Sequence, residues 1–280
     1  MLTCRTFTSA EVNFLCVHKK LRSKRLAPVL IKEVTRRVNL TNVWQAIYTG
    51  GVVIPTPIGT CRYYHRNLNP QKLVDINFSA QPRAMTMTRM KKHFSVGDIP
   101  KIPGFREMTR ADITPVRELL TRFLGRFDVA QLFSKDEEVE HWFLSGQGRE
   151  EGGKRVEQVV WAYVVEVRHS PTHYPSTNDQ DPTTHLITDF MSFYSLPSSI
   201  MQSTKYDTLN AAYLFYYASD AIFSPSGSSD NVEKHEAKAK SKLAERLNAL
   251  SQDMLSVAQG ACLSLGNEDI LLTSRLDLTS

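Results

Sequence analysis

The residues best suited to chemistry lie between Lys19 and Ala27, where Lys19, Lys20, Arg22, Lys24 and Arg25 crowd a short turn around Ser23. Downstream, Pro28 suits a first helical turn, and Leu30, Ile31, Val34 and Val38 fall on one helical face. A helix start presents backbone N–H groups without intrahelical partners, and cations around them make an anion site suited to phosphate. The plainer reading of the same residues is a solvated basic turn, the usual fate of a charge run. A second candidate group is Tyr63 with His65, two apart in the extended piece Cys61–His65 and so pointing to one side. A lone histidine in such a place is more often structural or merely exposed.

These residues need elements to position them. Val12–Val17 reads as a strand, with Val12, Phe14 and Cys16 facing one side and Leu15 and Val17 the other, so both faces should be covered. Thr41–Ala46 reads as a short helix capped by Thr41, and Val52–Ile54 as a strand after Gly50 and Gly51. Pro70 suits the first turn of a helix over Asn69–Val74. Val116, Leu119, Leu120, Phe123 and Leu124 predict an amphipathic helix over Asp112–Gly125, and Lys135–Phe143 a second one with Trp142 as a core or staple residue. Gly146–Gly153 reads as a turn-rich loop. Val156–Val167, Leu186–Tyr194 and Leu209–Tyr217 are predicted strands, and His169–His185 a polar surface insertion. Ser224–Ser241 is low in complexity and charged, which predicts disorder. Leu243, Leu247, Leu250, Met254 and Val257 predict a helix over Lys242–Ala258.

Composition narrows the function classes. The 280 residues are 41% hydrophobic and 22% charged with a net charge of +5, ordinary for a globular protein able to bury about three quarters of its unfolded surface. Positive charge is concentrated: Lys19, Lys20, Arg22, Lys24, Arg25, Lys32, Arg36 and Arg37 face one acid, Glu33. A local patch implies a local anionic ligand. No zinc-finger, homeodomain or RNA-recognition pattern accompanies it, so no nucleic acid is expected. Cys4, Cys16, Cys61 and Cys262 lie far apart, arguing against a disulfide framework and for a reducing compartment. The eight histidines show no ligand spacing, so no metal is expected. No apolar run reaches membrane-spanning length and no secretory signal is evident, which makes a cytoplasmic, non-integral protein, expected as a monomer, the simplest reading.

The string E-x-N-F-L-C-V-H-K from Glu11, followed by K-L-R-S-K-R-L-A-P-V-L-I-K-E, resembles the signature of the glycylpeptide N-tetradecanoyltransferase (N-myristoyltransferase) family, in a fungal-like form. Gly51–Pro57, Thr60–Pro70, Met85–Met87, Gly104–Met108 and Thr188–Ser198 resemble the same family in the same order. Arg-x-x-x-x-Ala over Arg22–Ala27 is similar to the pyrophosphate loop of the acetyltransferase superfamily, with Arg25 where a glycine is usual. The resemblance implies an α/β (α+β), acetyltransferase-like (GNAT-like) mixed sheet flanked by helices, in two halves related by a pseudo-twofold, the first half incomplete here. It implies myristoyl transfer from myristoyl-CoA, a co-substrate rather than a cofactor, to the N-terminal glycine amine of peptides or proteins.

The resemblance also assigns roles. The backbone amides of Phe14 and Leu15 form the oxyanion hole. Leu15, Cys16, Val17, Arg22, Ser23, Lys24, Arg25, Leu26 and Ala27 contact acyl-CoA, and Thr49, Gly51, Tyr63, His65, Phe78 and Ser192 contact peptide. Transfer is direct; Cys16 has no accompanying base and a buried strand cysteine is inert, so no acyl-cysteine is expected. Residues 1–55 are the expected remnant of the acyl-CoA half and 56–259 an incomplete peptide half. Residues 260–280 have neither the family's K-F-G-x-G-D-G motif nor its terminal sequence, and read as an unrelated tail. In the family a terminal carboxylate serves as general base. The residues before Ser280 do not match that pattern, so impaired transfer, or a catalytically inactive fragment that binds peptide or CoA, is the expectation.

Overall fold

The computed structural model describes residues 6–51, 55–97, 99–151, 154–168, 185–201, 203–223, 232–265 and 270–276. The chain divides into two compact units, Met1–Thr60 and Cys61–Ser280, a border five residues beyond the expected one.

The first unit contains β1 (Ser9–Val12), a 3-10 turn at Lys19–Leu21, α1 (Leu26–Leu40) and β2 (Gln45–Tyr48). β1 and β2 pair in parallel, Ser9 opposite Gln45 through Val12 opposite Tyr48, as a strand–helix–strand crossover permits. The strand expected over Val12–Val17 therefore ends where it was to begin. β2 supplies only four pairing residues, and Phe14 turns out of the ladder at φ +53°. Phe14 is 70% exposed and Leu15 47%, so the two covered faces expected of them are not found. The helix expected at Thr41–Ala46 is also replaced: Thr41 closes α1 by donating to Val38 O, Asn42 breaks the chain at φ +60°, and Gln45 opens β2. On α1 the half-buried stripe is Leu26, Leu30, Val34 and Val38, while Ile31 points to solvent. Val52–Ile54 lies outside the described residues.

The second unit is built on a six-stranded sheet. Its strands are β3 (Cys61–Asn67), β4 (Phe105–Glu107), β7 (Val160–Arg168), β8 (His185–Ser195), β11 (Ala211–Ser219) and β12 (Ile270–Leu276), in the spatial order β3-β12-β11-β8-β7-β4. Only β11 and β12 run parallel, so the sheet is mixed as expected. Two small ladders, β5 (Arg149–Glu151) with β6 (Lys154–Val156) and β9 (Ser198–Ser199) with β10 (Thr208–Leu209), stand beside it. The first replaces the loop expected at Gly146–Gly153, and Gly148 makes it possible. Its φ of +71° brings a would-be Cβ within 2.3 Å of Val156 O. β7 in turn starts at Val160 rather than Val156.

Helices cover the sheet on both faces. Asn69 caps α2 (Pro70–Asp75) by accepting from Lys72 N at 3.2 Å, with Pro70 in the first turn. Thr86 caps α3 (Met87–Phe94) by accepting from Arg89 N. From α4 (Ile113–Leu124) and α5 (Asp136–Phe143), the residues Val116, Leu120, Phe123, Val139 and Phe143 bury against Ala162, Val164 and Phe190. Trp142 packs at the edge of that cluster. Alternate residues of the same strands, Trp161, Val165, Met191 and Phe193, face Leu250, Met254 and Ala258 of α6 (Val232–Leu265).

One expectation for the C-terminal part fails. Residues 224–231 and 169–184 lie outside the described residues, but Val232 onward is helix rather than disordered chain. The stretch is rich in Ala, Glu and Lys, and Glu236 pairs with Lys240 one turn on at 2.8 Å. Within the expected tail, residues 260–265 complete α6 and residues 270–276 form β12. That strand pairs with β3 along seven residues and with β11 along three, giving backbone partners to both.

Buried charge holds the layers in place. Arg106 on β4 reaches Asp112 bidentately at 2.7 Å and Glu166 on β7 at 2.6 Å. Asp112 also accepts from Thr109 N and Oγ1. Burial alone would push the Asp112 carboxyl up, but Arg106 and Thr109 together hold it below its ordinary value. Asp189 of β8 accepts from Ser219 Oγ at 2.6 Å and from Arg246 of α6 at 2.6 Å, and Asp253 accepts from Lys101 N and Ile102 N. Arg106→Ala leaves two buried carboxylates without their cation, which lowers unfolding free energy by about 3–5 kcal/mol in urea titration at neutral pH. Because the folded Asp112 pKa is depressed, its contribution is complete above the ordinary value of 3.8 and is lost as pH falls through the lower folded value.

Candidate functional site

The cationic turn forms as expected, with a backbone that explains its composition. His18 Nδ1 accepts from Lys20 N at the start of the 3-10 turn, and Arg22 Nε donates to Val17 O at 3.1 Å. Ser23 and Arg25 both occupy the left-handed region, at φ +64° and +56°. Arg25 is the N-cap residue of α1, has no capping side chain, and no acid lies in the first turn. The amides that open α1 are thus left to an outside acceptor, and every side chain from His18 to Arg25 is exposed. Successive N–H groups around left-handed residues form a concavity that favours anions. Arg25 stands where a related loop has glycine, and its positive φ is the physical reason glycine suits that position.

Leu26 and Ala27 are the first two residues of α1, so their N–H groups belong to that set. Phe14 and Leu15 lie past the last β1–β2 pair, and neither amide takes part in the backbone bonds of the described turns and loops. Cys16 is an exposed thiol, not a buried one, and Val17 is half-buried. Thr49 and Gly51 are exposed just past β2, and a Cβ on Gly51 would meet nothing within 4 Å. All of these belong to the first unit.

In the second unit, Tyr63 and His65 fall on one face of β3, as alternation predicts. The pairing carries that face across the sheet: His65 is opposite Leu272, Leu272 opposite Tyr213, and Tyr213 opposite Tyr194. Tyr213 and Tyr194 stack at 5.3 Å and 11°, Phe215 meets Tyr194 edge-on, and Phe78 meets His65 edge-on at 5.8 Å. Burial, with Cys61 and Tyr213 beside it, raises the Tyr63 hydroxyl, which therefore stays a neutral donor through physiological pH. The result is an open aromatic face with hydroxyl and imidazole groups at its rim, suited to an extended chain with small polar groups. Sequence reasoning did not single out Tyr194, Tyr213 and Phe215. Their signal was alternation: Tyr194 lies two residues after Ser192, and Tyr213 two after Ala211, but only the strand register joins them to His65.

Ser192 does not line this face openly. It is 0% exposed, its hydroxyl donates to Tyr216 O at 2.9 Å and accepts from Tyr216 N at 3.1 Å. The β8–β11 register slips between Leu214 and Tyr217, and Ser192 ties down that irregularity. These bonds give Ser192 a sheet-positioning role, with β8 in the middle of the sheet under α4 and α5. Among the described residues no cluster of His, Cys, Asp and Glu converges as a metal site would require. Ser192→Ala removes both bonds and should cost about 1–2 kcal/mol of stability, read by urea denaturation.

Comparison with known proteins matches both units. Residues 2–61 match the family model of the myristoyl-CoA:protein N-myristoyltransferase N-terminal domain, and residues 75–267 that of its C-terminal domain. The chain is 47% identical over 269 residues to the glycylpeptide N-tetradecanoyltransferase of Mycosarcoma maydis, covering 94% of this chain and 36% of that protein. It is 51% identical over 207 residues to glycylpeptide N-tetradecanoyltransferase 1 of Arabidopsis thaliana, covering 74% of this chain and 42% of that one. A crystal structure of Saccharomyces cerevisiae N-myristoyltransferase with bound myristoyl-CoA superposes with a TM-score of 0.76 at 41% identity, over 94% of this chain and 52% of that one. The chain thus spans between 36% and 52% of the length of these relatives. With both family domains matched, in order, on the two units just described, the chain belongs to the N-myristoyltransferase family.

Proposed function

We propose that the first unit binds myristoyl-CoA through the cationic turn and that the chain serves transfer of the myristoyl group to an N-terminal glycine amine. The observation that carries this reading is the uncapped start of α1. Its free amides, left-handed Ser23 and Arg25, and surrounding Arg22 and Lys24 suit the paired phosphates of a coenzyme A. In the transfer, the neutral amine, its ammonium proton given up to solvent, attacks the thioester carbonyl carbon, and the second proton on nitrogen passes to the departing sulfur. A C–N bond forms, the C–S bond breaks, and coenzyme A leaves as the thiol. Negative charge gathers on the carbonyl oxygen, and the Phe14 and Leu15 amides, free of the ladder, are the donors assigned to it; one such donor is commonly worth about 3–4 kcal/mol. Leu15, Cys16 and Val17 would flank the acyl-CoA. Cys16 stays a bystander, since direct attack needs no thiol.

Thr49, Gly51, Tyr63, His65 and Phe78 are the residues assigned to the peptide, with Tyr194 and Tyr213 extending the aromatic face and Ser192 bracing it. Work in the cytoplasm as a monomer fits the exposed thiols Cys16 and Cys61, which suit a reducing compartment. Among the described residues no helix is long and apolar enough to cross a membrane.

Calorimetry of the purified chain with coenzyme A, with myristoyl-CoA and with a glycine-starting octapeptide tests the reading, followed by a transfer assay. Coenzyme A should bind, and the pair of substitutions Arg22→Gln and Lys24→Gln should weaken it at least tenfold, since hydrogen bonds to charged groups contribute about 1.5–3 kcal/mol each. Absence of coenzyme A binding would overturn the assignment. Binding of both ligands without product would limit the chain to a binding role. Arg25→Gly relieves a left-handed non-glycine residue and should stabilise the start of α1 by about 1 kcal/mol. Slower hydrogen exchange of the α1 amides would show it.

A further inference from the structure

A second cationic surface lies in the other unit, with no role in the transfer proposed above. Between Cys61 and Gly97 the chain carries Arg62, Arg66, Lys72, Arg83, Arg89, Lys91 and Lys92 against one acid, Asp75, which is occupied by Lys205 at 2.7 Å. The centre of this surface is α3. Its apolar residues Met87, Met90 and Phe94 turn inward, with Met90 buried, so Arg89, Lys92 and His93 share the opposite, exposed face. Arg66 of β3 joins them, its guanidinium 4.9 Å from the Phe94 ring and donating to His93 O. Lys91 flanks the face, held by Gln71 of α2.

Helix stability accounts for only part of this. Lys91, Lys92 and His93 sit in the last turn, where the helix dipole favours cations. Arg89 sits in the first turn, where the dipole opposes a cation, and no acid accompanies it there. Five residues beyond the helix, Ile99 is 74% exposed in the loop that leads to Lys101. A run of exposed cations, followed along the chain by one exposed apolar side chain, complements a surface of negative headgroups over hydrocarbon. Of the rings on α3, Phe94 is half-buried beneath Arg66, which leaves His93 as the exposed one and gives little platform for stacking successive bases.

We propose that the exposed face of α3, with Arg66, Arg89, Lys92 and the adjacent Ile99, docks the second unit onto anionic lipid surfaces by reversible electrostatic adsorption. This is independent of the transfer reaction. The test is sedimentation of the full chain with vesicles of phosphatidylcholine alone and with about one third phosphatidylserine. Binding should require the anionic lipid and fall steeply with added salt. Each neutralised cation near the surface should lower the partition coefficient about fivefold, so Arg89→Gln with Lys92→Gln should lower it about 25-fold.

Two further variants keep the outcome decisive. Ile99→Ser should reduce binding while leaving its salt dependence intact. Lys19→Gln with Lys24→Gln, in the coenzyme A loop, should lower binding less than the α3 pair, and unchanged far-ultraviolet circular dichroism would confirm that each variant is folded. The proposal is overturned by equal binding to neutral and anionic vesicles, by loss confined to the loop variant, or by tight binding to single-stranded RNA with none to the anionic vesicles.

Discussion

A helix cannot satisfy its own first N–H groups, and at α1 the N-cap side chain does not do so for it. Arg25 occupies the cap position with no capping side chain, and the first turn holds no acid. Around that start the chain gathers cations and left-handed residues, each of which is unfavourable without an anion. Ser23 and Arg25 accept backbone strain, and the clustered lysines and arginines repel one another. The arrangement makes sense when an outside phosphate completes it.

The second unit follows the opposite logic, with its buried charges satisfied internally. Arg106 serves two carboxylates, Asp189 receives Ser219 and Arg246, and Asp253 caps the backbone at Lys101 and Ile102. These contacts fix α4 and α6 on opposite faces of one sheet. Gly104, at φ +77° with a would-be Cβ 2.0 Å from Glu166 O, lets β4 enter close beside β7. A sheet held this firmly can present an open aromatic face at its β3 end without collapsing over it.

Much of this was legible in the sequence where the signal was local. The helices at α1, α2, α4 and α5 followed from proline position, capping residues and apolar spacing. β3, β8 and β11 followed from alternation, within two residues at either end. What was not legible depended on partners far along the chain. The strand expected after Val12 was cut short because β2 is brief, and the charged run after Val232 was helical because its Glu and Lys residues are spaced one turn apart. Ile270–Leu276 carries no family motif, yet the gap between β3 and β11 takes it up. Of the site, the cationic turn was plain from residue types, whereas Tyr194 and Tyr213 became visible only through register. That Ser192 also ties β8 to β11 was not legible, because its partner Tyr216 lies 24 residues further along the chain.

The most direct test of the central claim is an amide chemical-shift titration of the labelled chain with coenzyme A. The account predicts saturable shifts concentrated at Ser23 to Val29, the turn and the first amides of α1. Saturable shifts confined to other segments, with those amides unmoved, would contradict it.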